Sequence, residues 1–98
     1  MTRKSRPPHE RRQHARHAVD LPANVTIGGA RVPCRLADIS GGGALISPAR
    51  EIELGAKVEL DLPGTGTVAA TVVRLTGTHV GLMFPGVVVI APLLRQAA

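Results

Sequence analysis

Lys57-Val58-Glu59-Leu60-Asp61-Leu62-Pro63-Gly64-Thr65-Gly66 is the stretch on which the fold class turns. Val58, Leu60 and Leu62 alternate with Lys57, Glu59 and Asp61, which puts apolar side chains on one face of a strand and charged ones on the other. Pro63 to Gly66 is a loop by composition. Thr67 to Leu75, long and β-branched, is the next strand, and Gly77 turns the chain into a further one from Val80 to Phe84. Upstream, Ile52-Glu53-Leu54-Gly55 reads as a turn, Ala44-Leu45-Ile46 as a short strand, and Gly41-Gly42-Gly43 as an interruption. Ala30 to Ser40 is a strand with Val32, Cys34, Leu36 and Asp38 on one side and Arg31, Pro33 and Arg35 on the other. Pro33 predicts a bulge or a sheet edge at that point. Gly28-Gly29 offers a tight hairpin after a first strand whose face is Val19, Leu21, Ala23, Val25 and Ile27.

Six short antiparallel strands with regular turn signals predict an all-β domain, a small barrel or sandwich. Closure into a barrel would remove the exposed edges that endanger a Val-rich protein. Val87 to Gln96 reads two ways: Val87 to Ile90 favour strand, whereas Leu93 to Ala97 favour a short C-terminal helix with Pro92 in its first turn.

Composition narrows the function. The 98 residues are 44% hydrophobic, enough for one core, but Phe84 is the single aromatic residue. A protein that grips single-stranded nucleic acid stacks bases on aromatic rings, which argues against nucleic acid as a partner. The formal charge is +5, and all of it sits on residues 1–17, where Arg3, Lys4, Arg6, Arg11, Arg12 and Arg16 face only Glu10. With Pro7 and Pro8 opposing helix, this segment reads as a flexible basic arm that attracts a phosphorylated or polyanionic ligand, and residues 18–98 as the barrel domain. Cys34 has no cysteine to pair with, which suits a reducing compartment. No apolar stretch follows the basic residues as in a secretory signal, and Val87 to Leu94 is too short to span a membrane. A cytoplasmic protein without membrane insertion is expected.

Two short elements carry chemistry. The first is Arg11-Arg12-Gln13-His14-Ala15-Arg16, where arm meets barrel; the second is Asp38-Ile39-Ser40-Gly41-Gly42-Gly43, at the end of a strand. An arginine fork matches phosphate oxygens or the O6/N7 edge of guanine with two parallel hydrogen bonds. A carboxylate at Asp38 accepts from the donor-rich Watson–Crick edge of guanine. Ser40 can bridge to a phosphate or hold the turn, and Gly41, Gly42 and Gly43 can expose N–H groups to an anion. The elements supply complementary halves of a guanine-plus-phosphate site, although Asp38 and Ser40 could equally cap a simple turn.

These residues resemble the PilZ family, whose hallmark is R-x-x-x-R in an N-terminal loop followed by [D/N]-x-S-x-x-G on the barrel. Arg12 and Arg16 match the first motif; Asp38, Ser40 and Gly43 match the second without substitution. Leu54-Gly55, Val72-Val73-Arg74 and Val80-Gly81-Leu82-Met83-Phe84 are similar to family features, so the likeness runs over about residues 10 to 86. The resemblance implies a six-stranded antiparallel barrel that binds cyclic di-GMP, with an arm that wraps over the ligand and signals to a protein effector in trans, in motility, exopolysaccharide or biofilm control. Arg11, directly before the first motif, implies a stacked pair of ligand molecules. Two other readings stand beside it: a ligand-independent PilZ-like adaptor, disfavoured by the retained arginines, and a basic-arm nucleic-acid-binding barrel. His9, His14 and His17 lack the fixed geometry and partner ligands of a metal site, and Glu51, Glu53, Glu59 and Asp61 read as a solvated face. No catalytic constellation is present, so a binding module without cofactor or metal is expected rather than an enzyme.

Overall fold

A computed structural model describes residues 15–48 and 52–97. The strands are β1 (His17–Ile27), β2 (Ala30–Ile39), β3 (Gly43–Ser47), β4 (Lys57–Leu62), β5 (Gly66–Leu75) and β6 (Val80–Met83), followed by one helix, α1 (Ala91–Ala97). They form a closed antiparallel barrel in the order β1-β2-β3-β6-β5-β4, with Asn24, Val25 and Thr26 of β1 pairing with Asp61, Leu60 and Glu59 of β4 to complete the ring. Closure satisfies the ladder hydrogen bonds that an open sheet would leave along its edges.

The alternation read from Lys57 to Leu62 is what the barrel uses. Val58, Leu60 and Leu62 are buried, while Lys57 and Glu59 face solvent. With Val25, Leu36, Ile39, Ile46, Val72, Val80 and Leu93 they form one continuous core. Burying each such side chain contributes about 1.5–3 kcal/mol. At Gly28-Gly29 both residues have positive φ, 56° and 86°, as a two-residue hairpin turn requires. Pro33 faces Asn24 of β1, whereas pairing of β2 with β3 begins only at Arg35, so its missing N–H falls where β2 has no second neighbour.

One expectation is corrected, and one open reading is decided. Asp38 does not continue the inward face of Val32, Cys34 and Leu36. The β2–β3 register shifts between Leu36 and Asp38, so Ile39 is the next buried residue and Asp38 turns outward. A bulge here spares the barrel a carboxylate in its core. Val87 to Ile90 do not form a strand. The barrel is already closed, leaving no edge for a seventh strand, and the segment crosses the barrel end with the Val88 N–H donating to the Gly41 carbonyl at 2.8 Å. The helix then runs from Ala91, with Pro92 in its first turn and Leu93 fully buried.

Candidate functional site

The N-terminal end of β1 and the C-terminal end of β2 lie side by side, which brings the two motif segments together. His17 pairs with Ile39 and Ala18 with Asp38. Arg16, just before β1, therefore lies diagonally across from Asp38 on the outer face. Its Nε donates to Asp38 Oδ2 at 3.2 Å. The side chain of Arg16 is 57% exposed and that of Asp38 only 24%. Asp38 Oδ1 is buried and has no hydrogen-bond partner among the described residues. A carboxylate oxygen withdrawn from water without a donor costs free energy, so this atom is a standing acceptor.

Register shifts flank Asp38 on both sides. In β1 the pairing jumps between Ala18 and Leu21; in β2 it jumps against β3 between Leu36 and Asp38. Arg35 pins the β1 irregularity: Nη2 and Nε donate to Asp20 Oδ1 at 2.7 and 3.0 Å, and Nη2 also donates to the Asp20 carbonyl at 3.1 Å.

Beyond Ile39 the chain makes a tight turn. Ser40 is buried, and its backbone N–H donates to the Gly43 carbonyl at 2.9 Å. Its Oγ accepts from the N–H groups of Gly42 at 3.2 Å and Gly43 at 3.1 Å. Of the two roles open to Ser40, holding the turn is the one its hydrogen bonds occupy. The Gly42 and Gly43 N–H groups are thus engaged within the turn by Ser40. Gly43 is required for space, since a Cβ there would run into the backbone carbonyl oxygen of Leu82 on β6. The turn is anchored from behind, with the Phe84 N–H donating to the Gly42 carbonyl at 2.9 Å and Val88 to that of Gly41. These two supports escaped sequence reasoning because a backbone N–H leaves no mark on residue type.

The site is thus a shallow outer-surface feature built from Arg16, Asp38 and the Ser40–Gly43 turn. Arg11 and Arg12, with the other arm residues up to His14, and Glu51 lie outside the described residues. Within the described residues no cluster of His, Cys, Asp and Glu could hold a metal ion, and no helix is long and apolar enough to cross a membrane. Cys34 is buried, and burial pushes its thiol up to about 11, which keeps it protonated and unreactive at neutral pH.

The family model described as PilZ domain matches residues 10–91, most of the chain. The matched span includes both motif segments and all six strands. No curated protein matches the chain.

Proposed function

The chain belongs to the PilZ domain family, a family of binding and receptor domains associated with cyclic di-GMP, and from that premise we propose that it is a cyclic di-GMP receptor. The dinucleotide is held between Arg11, Arg12 and Arg16 on one side and Asp38 with the Ser40–Gly43 turn on the other. The observation that carries this reading is the meeting of Arg16 with Asp38 at 3.2 Å, next to a buried Asp38 Oδ1 that has no donor among the described residues. The Watson–Crick edge of guanine presents the N–H groups that this oxygen lacks. Phosphate and the O6/N7 edge present acceptors that arginine forks match.

Each residue has a distinct task. Arg16 is already oriented by Asp38, so its guanidinium is positioned before the ligand arrives and less side-chain freedom is lost on binding. Asp38 reads guanine. Ser40 keeps the glycine turn tight, which holds the backbone low enough for a flat base to approach. Arg11 and Arg12 close from the arm, and with Arg11 in place the site accepts a stacked pair of ligands. Closure of the arm changes the surface shown to a protein effector in the cytoplasm. No step of covalent chemistry is involved, and no cofactor is needed.

Isothermal titration with cyclic di-GMP tests this. The wild type binds with one to two ligands per chain. Arg12→Ala and Arg16→Ala each remove charge-assisted hydrogen bonds worth on the order of 1.5–3 kcal/mol apiece, about tenfold or more in Kd, with the melting temperature nearly unchanged. Asp38→Ala weakens binding and erodes the preference for guanine over the adenine analogue. A wild type that gives no heat with the dinucleotide overturns the proposal and leaves the ligand-independent adaptor; equal binding of the adenine analogue overturns the guanine-reading role of Asp38.

A further inference from the structure

Asp38 is one member of a cross-strand row that continues around the outside of the barrel. Asp38 faces Leu45 on β3, Leu45 faces Gly81 on β6, and Gly81 faces Arg74 on β5. Residues directly opposite in antiparallel pairs share a face. That face is the outer one, because the flanking Ile39, Ala44, Ile46, Val80 and Leu82 are all buried.

The two charged ends of the row reach it by the same device. Simple alternation after Ala70 and Val72, both buried, would turn Arg74 into the core. The β5–β6 register instead shifts between Val72 and Arg74, and Arg74 comes out opposite Gly81. Asp38 follows the β2 bulge in the same way. Bulges cluster beside binding sites, where they re-aim a side chain, and here two of them re-aim opposite charges onto one row.

Glycine at position 81 clears the path between them. A Cβ there would lie 3.2 Å from Arg74 Cβ and 3.6 Å from Arg74 Nε, so the arginine side chain lies across the glycine. With strands about 4.8 Å apart, Asp38 and Arg74 are separated by three spacings, about 14 Å along the surface. Arg74 spans the first of them. What remains is a trough with a half-buried leucine as floor, a carboxylate at one end and a guanidinium at the other. A purine has this complementarity: an apolar face for Leu45 and polar edges for the two ends.

We infer that Arg74 is a further binding residue for the dinucleotide, closing the far end of a trough that begins at Arg16 and Asp38 and runs over Leu45 and Gly81. This rests on the receptor reading above and extends the site from β1 and β2 to β5. Its fork engages the phosphate or the O6/N7 edge of the base that lies over Leu45.

The test is titration of the full chain with cyclic di-GMP at one fixed salt concentration. Arg74→Ala weakens binding about tenfold or more, the scale of a lost charge-assisted hydrogen bond. Arg74→Lys recovers only part of it, because an ammonium lacks the fork. Gly81→Ala, which pushes Arg74 off the row, also weakens binding, and adds nothing once Arg74 is alanine. Arg31→Ala, an exposed arginine bound to Asp61 on another part of the barrel, leaves Kd unchanged and controls for net charge. Melting temperatures of the Arg74 variants stay near the wild type. Wild-type-like binding by Arg74→Ala, or an equal loss in Arg31→Ala, overturns the role of Arg74 while leaving the receptor reading intact. A wild type that does not bind removes both.

Discussion

At the Gly28-Gly29 end of the β1–β2 pair, every residue from Leu21 to Ile27 faces its partner between Leu36 and Ala30 without a break; at the Arg16 end, both strands lose register within a few residues. The regular end buries Ala23, Val25, Cys34 and Leu36 and shows solvent an ordinary exposed ion pair, Arg31 with Asp61. The irregular end turns a carboxylate outward, buries a serine, and leaves Asp38 Oδ1 without a donor among the described residues. Regular pairing serves stability because every inward position is apolar. Irregular pairing gives up some ladder order to aim Asp38 at a neighbouring arginine, and the candidate site lies there.

The comparison can be tested by measuring what each end contributes. Truncation of the core on either side of the bulge has the largest effect. Leu36→Ala and Ile39→Ala, both at fully buried positions, each cost about 2–5 kcal/mol in urea unfolding. A much smaller cost for Ile39→Ala would mean that the irregular end is not packed, and the contrast would dissolve.

Glycine substitutions come next and separate two reasons for glycine. Gly43→Ala costs about 1–3 kcal/mol or more, because its Cβ meets the Leu82 carbonyl and a backbone oxygen cannot step aside. Gly29→Ala costs about 1–2 kcal/mol for its positive φ alone, since open space surrounds it. Asparagine therefore restores much of the loss at position 29, where it tolerates that conformation, and none at position 43. Equal rescue at both would show that space is not the constraint at Gly43.

Cys34 gives a pH signature of the regular end. Burial raises its thiol from 9.0 to about 11, so between those values the unfolded chain loses the proton while the folded chain keeps it. Stability is full below about 9 and declines as pH rises toward about 11. Melting curves across that window should flatten in Cys34→Ala, compared with its own lower-pH baseline. A slope unchanged by the substitution would assign the decline to another group. The smallest effect belongs to Arg31→Ala, where an exposed pair contributes at most about 1 kcal/mol.

Much of this was legible beforehand, and the reasons are local. Val58, Leu60 and Leu62 announce a strand because their period is two, and Gly28-Gly29 announces a hairpin because both positions need positive φ. Arg16, Asp38, Ser40 and Gly43 stood out by spacing. The side on which Asp38 emerges was not legible, because alternation from Val32 to Leu36 says nothing of a bulge that arises from pairing with β3. The side on which Arg74 emerges was hidden for the same reason. The non-strand course of Val87 to Ile90 could not be foreseen either, since those residues suit a strand and only the closed ring denies them an edge.

Residue order alone settles where this chain extends, where it turns and which two segments bring together arginines, a carboxylate and a glycine turn, because periodicity, backbone freedom and donor chemistry are properties of neighbours in sequence. Which groups then face one another is a matter of register between strands far apart in the chain. Arg16 beside Asp38, and Arg74 laid over Gly81 on the same outer row, follow from ladder shifts between strands, and a shift is defined only once both partners are in place.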